Sequence, residues 1–343
     1  MISDFVLEHL WYFVIGICMI AYTVLDGFDL GVGILNAFVK KDEERRVFLN
    51  AIGPVWDGNE VWLVVLGGGL FAGFPDVYAS LFSGFYNLCM LLLAFLIFRA
   101  VAIEFRSKHP SMKWRHTWDY VFAFSSLGIA FGVGLVLGNL IEGVPLNANM
   151  DFTATFALTF RPYSILVGVT SIVLFVMHGT IYLTMKTEGD LHNKLRTWVQ
   201  KSMVVFFVFY FLTTCATLIY MPFMAEKMKQ FPWMFILPGL SFILFSLIPG
   251  QFARGRDGTA FLCSCFGIAS LIGIFGVGTY PVLVRSTVNP DSYSLTIFNS
   301  ASSFLTLKVL LIIVLIGIPL VLGYGFYIYR IFRGKVKIGS SSY

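Results

Sequence analysis

Nine long apolar runs, separated by short polar connections, set the pattern of the chain. A membrane-crossing helix needs about 20 mostly apolar residues. Runs at 9–36, 54–74, 77–100, 118–140, 162–185, 200–222, 232–251, 258–284 and 304–330 meet that requirement. They predict an all-α integral membrane protein with nine transmembrane helices, residues 1–343 forming one polytopic membrane domain. Pro54 suits a helix start, where its missing N–H costs little. Pro238 and Pro319 fall inside expected spans and predict kinks. Gly27 with Gly31, Gly128 with Gly132, Gly134 with Gly138, and Gly67-Gly68-Gly69 predict close helix contacts, since small residues let backbones approach in lipid.

Composition narrows the class further. Apolar residues make up 57% of the chain, charged residues 13%, and mean hydropathy is +0.81. A soluble domain carries about 25% charge. The five cysteines all lie in apolar runs, without metal-finger or haem-attachment spacing, and read as small packing residues. The first run lacks a basic leader and is too long for a cleaved signal. The connections near 141–161 and 285–303 are too short for a folded domain, so no soluble catalytic module is expected.

The net charge of +5 gains meaning once the charges are placed. With the amino terminus outside, 19 of the 24 Lys and Arg fall on inner segments, Arg99 and Arg106 among them. Only Arg161, Lys227, Lys229, Arg285 and Lys308 fall outside. That asymmetry predicts an outer amino terminus and an inner carboxy terminus. It also accounts for the basic balance without a nucleic-acid partner.

Four carboxylates interrupt the apolar pattern near the start. They lie in Asp26-Gly27-Phe28-Asp29-Leu30-Gly31-Val32-Gly33 and in Trp56-Asp57-Gly58-Asn59-Glu60-Val61-Trp62. A carboxylate in hydrocarbon costs roughly 2.5–3.5 kcal/mol on insertion scales, and is retained where it faces a cavity, a partner or a proton path. Asp26 lies about 15 Å from the inner end of its span at 1.5 Å per residue, and Asp29 one turn closer. Asp57 sits in the first turn of the next span and Glu60 one turn deeper. Each pair is spaced i, i+3 and shares a helix face. The four therefore belong to one leaflet and form a candidate proton path entered at Asp57. Asp57 equally suits a helix-start carboxylate favoured by the macrodipole, and Glu60 is near enough to the surface to snorkel. Trp56 and Trp62 flank the acidic pair, as members of an aromatic belt or as candidates for an O2 path or a subunit contact. His178 is the one histidine well inside a span, and His9 lies near the other leaflet. They cannot pair as haem ligands at one depth, and no cluster suits a redox metal, so no ligated cofactor or metal is expected. His178 reads as a polar residue bonded across a helix pair.

At these residues the chain resembles the second subunit of the cytochrome bd-type quinol oxidases. The likeness rests on the two acidic motifs and on Ser83-Gly84-Phe85-Tyr86. It extends to Phe98-Arg99 with Arg106-Ser107-Lys108, Gly138-Asn139 with Gly143-Val144-Pro145, and Lys186-Thr187-Glu188-Gly189-Asp190-Leu191. It implies two four-helix bundles plus a peripheral helix, in a bacterial cell (inner) membrane with a cytoplasmic carboxy terminus. It implies a homologous haem-bearing subunit I as partner, carrying two haems b and a haem d, and an electrogenic complex that oxidises quinol and reduces O2 to water. A structural quinone or lipid, and a small accessory subunit, are left open. The resemblance implies that Asp57 belongs to the proton path; Gln also occurs in the family at the positions of Glu60 and His178. The competing readings are a proton- or ion-coupled transporter and a structural scaffold. Against the transporter stands the lack of repeated halves.

Overall fold

Helix follows the apolar runs, but the runs are cut at places the pattern alone does not mark. The structure, a computed structural model, describes residues 4–153 and 155–339; Met1–Ser3 and Ser340–Tyr343, most of the expected polar tail, lie outside the described residues. The first half holds α1 (Asp4–Asn36), α2 (Asp42–Ile52), α3 (Trp56–Gly73), α4 (Pro75–Gly84), α5 (Tyr86–Phe105) and α6 (Met112–Glu142). The second half holds α7 (Pro162–Lys186), α8 (Gly189–Tyr220), α9 (Glu226–Gln230), α10 (Ile236–Ala253), α11 (Asp257–Thr279), α12 (Pro290–Tyr293) and α13 (Phe304–Ile331). Among the described residues, eight helices are long and apolar enough to cross a membrane. The remaining expected span is α3, 18 residues long, whose opening residues Asp57, Asn59 and Glu60 dilute its apolar character.

Several expected boundaries are corrected. The run expected at 77–100 is two helices, because Pro75 begins α4 and Phe85 leaves helical geometry at φ −92°, ψ 22° before α5. Phe85 is buried there, its ring 4.9 Å from that of Phe152. The connection after α1 contains α2, whose Phe48, Leu49, Ala51 and Ile52 are buried in a core with Phe28, Val32 and Tyr182. The run expected to reach 284 stops at Thr279, and Val282–Val284 forms a strand β1, antiparallel to β2 (Leu295–Thr296). The two long connections fold against each other: Val144 N–H donates to the Arg285 carbonyl at 2.8 Å, and Thr287 N–H to the Val144 carbonyl at 3.0 Å. Gly143 ends α6 at φ +86°, a left-handed conformation that favours glycine. Pro238 lies in the first turn of α10, where helix N–H groups lack intrahelical partners, whereas Pro249 and Pro319 lie inside helices.

Packing is densest around α7, which lies against α6, α8, α1 and α11, while α1 also lies against α3 and α6, α5 packs on α6, and α10 on α11. Lipid is as apolar as leucine, so close van der Waals packing has to join these helices. The α1–α7 contact shows how: a Cβ on Gly179 would stand 2.7 Å from the Gly31 carbonyl carbon and 2.7 Å from the Val32 nitrogen, backbone atoms that have no room to move. α13 rides on the outside, touching α3 and α1, with Leu307 its buried residue and most of its apolar side chains exposed.

Candidate functional site

Three helices bring the acidic residues onto one cation. Arg99 of α5 grips Asp26 of α1 with both ends of its fork, Nη1 to Oδ2 at 3.0 Å and Nη2 to Oδ1 at 2.5 Å. Both side chains are fully buried. Glu60 of α3 approaches the same guanidinium, its Oε2 3.8 Å from Nη1. Asp29, one turn from Asp26 on α1, is also buried and lies within electrostatic reach of Asp26, Arg99 and Glu60. Its Oδ2 accepts from Asn59 Nδ2 at 2.7 Å, and Asn59 Oδ1 in turn accepts from the Tyr329 hydroxyl of α13 at 2.8 Å. The buried Tyr22 lies beside Asp26.

The arrangement leaves acceptors unused. Asp29 Oδ1, Glu60 Oε2 and Arg99 Nε are buried without a hydrogen-bond partner among the described residues. Buried polar groups are nearly always bonded, and each exception calls for an explanation. Three carboxylates face one guanidinium, and a buried charge is costly unless it is paired. A cluster of this kind can hold a proton and pass it between acceptors one helical turn apart.

The sequence-predicted residues divide into three sets. Asp26, Asp29 and Glu60 meet around Arg99. Asp57 stands apart in the first turn of α3, exposed, with no hydrogen bond or salt bridge among the described residues. It is one helical turn from Glu60, at the place where a path from the aqueous surface would begin. Trp56 and Trp62 are both buried within the chain, Trp62 against Cys18 and Tyr22, so neither ring offers a broad face to a partner. Arg99 corrects the charge tally above, since it is not a surface charge but the buried counter-ion of Asp26. Its signals were its place at the inner end of the run expected at 77–100 and the Phe98-Arg99 motif. Asn59 lies within the second acidic motif, and Tyr329 had no signal.

A second polar cluster lay outside the expectation altogether. Asp119 of α6 accepts at Oδ1 from Arg106 Nε at 2.6 Å and Asn36 Nδ2 at 3.1 Å, and at Oδ2 from Arg45 Nη1 at 2.7 Å. Asp42 accepts from Arg106 Nη2 at 2.6 Å and from Arg115 Nη1 at 3.0 Å. Burial pushes the Asp42 carboxyl up, but the Arg106 hydrogen bond and the charges of Arg106 and Arg115 outweigh it and hold the group below the usual carboxylate range.

His178 and His9 are each bonded at both ring nitrogens within the chain. His178 Nδ1 lies 2.7 Å from Ser264 Oγ and Nε2 3.0 Å from the Val24 carbonyl, so the ring joins α7 to α11 and α1. It stacks on Phe261 with ring centroids 5.0 Å apart. His9 is likewise engaged at both nitrogens, by the Phe5 carbonyl and the Tyr280 hydroxyl. No group of three or more His, Cys, Asp or Glu positioned to hold a metal ion occurs among the described residues.

Comparison with known proteins gives a consistent set of relatives. The family described as cytochrome bd terminal oxidase subunit II matches residues 7–332. The cytochrome bd ubiquinol oxidase subunit 2 of Bacillus subtilis (strain 168) is 36% identical over 332 residues, covering 96% of this chain and 97% of the relative. The cytochrome bd-I ubiquinol oxidase subunit 2 of Escherichia coli (strain K12) is 32% identical over 367 residues, covering 98% and 97%. A chain from the structure of bd oxidase from Geobacillus thermodenitrificans superposes with a TM-score of 0.79 at 20% identity, covering 95% of this chain and 98% of that one. At that identity the likeness speaks for the fold alone.

Proposed function

The chain belongs to the cytochrome bd terminal oxidase subunit II family, and on that premise we propose that it works beside a haem-bearing subunit I in a membrane complex that oxidises quinol and reduces O2 to water. The two haems b and the haem d belong to the partner in this reading and supply the electron transfer. This chain supports the partner and delivers protons from the cytoplasmic side. Family membership sets aside the transporter reading.

The observation that carries the proton role is the excess of carboxylates around Arg99, one helical turn from the exposed Asp57. Asp57 takes a proton from the inner aqueous surface. Glu60, one turn deeper, receives it beside Arg99. Asp29 offers a second acceptor, oriented by Asn59 and Tyr329. Asp26 has both oxygens held by Arg99 and acts as the fixed counter-ion, not as a carrier. The path requires the amino terminus outside and the carboxy terminus in the cytoplasm, as the basic asymmetry supports; a cysteine at Ser341 should resist labelling from outside intact cells.

Replacing Asp57 by Asn in the assembled complex is the direct test, because it preserves size and hydrogen bonding while removing the titrating group. Quinol-driven O2 consumption and proton uptake should both slow while the complex still forms. If both rates are unchanged, Asp57 is a helix-start carboxylate only. If assembly is lost, the residue is structural and the entrance lies elsewhere.

A further inference from the structure

At the end of the molecule opposite the Asp57 entrance, a cavity of about 230 Å³ opens between the end of α6, α9, the end of α11 and the start of β1. Its polar lining includes Lys227 and Arg285, two of the five basic residues on the sparsely charged side of the chain. Neither cation makes a salt bridge or a side-chain hydrogen bond among the described residues. Glu226 also lines the cavity yet pairs with neither. Aromatic rings hold both cations in place. The Arg285 guanidinium lies 3.9 Å from the Phe223 ring centre, and Lys227 Nζ lies 5.9 Å from that of Tyr280. Two unpaired, positioned cations facing one cavity are a receptor for an anion.

The surroundings indicate what kind of anion. One residue beyond the cavity-lining Gln230 begins an exposed aromatic stretch, Phe231, Trp233 and Phe235. Exposed aromatics of this kind mark the headgroup level of a membrane. From there, exposed Ile236, Leu240, Ile243 and Leu247 recur at helical spacing along one face of α10. The volume is below the roughly 300–1,000 Å³ of a site that encloses a whole drug-sized ligand, and suits a headgroup whose tails lie outside. A neutral quinol headgroup gives two cations nothing to neutralise. We propose that Lys227 and Arg285 form a phosphate site at this membrane surface, occupied by the headgroup of an anionic phospholipid whose acyl chains lie along α10.

The test uses the whole oxidase complex, reconstituted into phosphatidylcholine vesicles containing phosphatidylglycerol, re-extracted in mild detergent and weighed intact by native mass spectrometry. Wild-type complex should retain phosphatidylglycerol that the Lys227→Gln, Arg285→Gln double variant holds roughly tenfold more weakly, the loss expected of a charge-assisted bond. Lys229→Gln, exposed and outside the cavity, should behave as wild type. A parallel arm measures broadening of the phosphorus resonance of inorganic phosphate. Lipid retention specific to the wild type assigns the site to lipid. Broadening by the wild type alone, without lipid retention, keeps the phosphate site but makes free phosphate its occupant and removes the lipid. Equal behaviour of wild type and variant in both arms overturns the proposal. If the double variant fails to assemble, Lys227→Gln alone gives the same reading with a smaller loss.

Discussion

Two buried polar clusters lie near the same end of the bundle and are built from the same residue types, yet they are balanced in opposite ways. Around Arg99, Asp26 and Glu60 pair with one cation, Asp29 lies within electrostatic reach of it, and Asp29 Oδ1 and Glu60 Oε2 have no hydrogen-bond partner among the described residues. Around Asp119, the two carboxylates Asp119 and Asp42 face Arg45, Arg106 and Arg115, and each carboxylate oxygen is taken. A network whose carboxylate oxygens are all taken is a fastening, its unbonded buried atoms being Asn36 Oδ1, Arg106 Nη1 and Arg115 Nε: it ties α2, the end of α5 and the start of α6 to Asn36 at the end of α1. The one around Arg99 has carboxylate oxygens left over, as the proposed proton role requires. The distinction lies in the balance of charges and in the unused carboxylate oxygens.

The largest effect is expected from Arg99→Gln, which leaves Asp26 buried without its counter-ion. Removing one partner of a buried pair costs roughly 3–5 kcal/mol, and the yield and thermal midpoint of the assembled complex should fall sharply. Adding Asp26→Asn should recover part of that loss; no recovery would mean that the pair is not what holds the site.

Asp119→Asn should cost roughly 2–3 kcal/mol, as expected for charge-assisted hydrogen bonds. The complex that does assemble should turn over at the normal rate. A lower rate per assembled complex would erase the contrast between fastening and path.

Glu60→Gln should give the converse result, with normal assembly and quinol-driven proton uptake slowed by roughly an order of magnitude, less than the 10²–10⁴ of a group acting in a transition state. Normal uptake would move the relay from Glu60 to Asp29.

The smallest effect belongs to Asp42, partly exposed at 24%. Its folded-state carboxyl titrates below the unfolded value of about 3.9. Its contribution is therefore fully present above that pH and is lost as pH falls through the lower folded value. Asp42→Asn should cost under about 1 kcal/mol at neutral pH, and should flatten the acid limb of a stability–pH curve below about pH 4 without changing it between pH 5 and 8.

Membrane character, helix class and the polar positions in the first two spans were all legible along the chain, because hydrocarbon admits only satisfied backbones and tolerates few charges. Asp26, Asp29, Asp57 and Glu60 stood out for that reason, and His178 read correctly as a bonded packing residue. The break at Phe85 lay inside a run read as one span although Ser83-Gly84 and Tyr86-Asn87 flank it, and what packs on it is the Phe152 ring from a distant connection. Asp119 opens the run expected at 118–140, and Arg45, Arg106 and Arg115 fall on inner connections, where nothing along the chain shows that they pair.

The sequence by itself determined the solvent of this protein, the approximate length and order of its helices, and which carboxylates needed an explanation. Only the tertiary structure decided that Arg99 turns inward to Asp26, that Glu60 rather than Asp29 adjoins the guanidinium, and that Tyr329 reaches Asn59 across 270 residues. Hydropathy depends on each residue's own transfer energy and is readable one position at a time. Charge pairing depends on which helix faces come together, and that is set by close contacts such as Gly31 against Gly179, whose geometry no local pattern encodes.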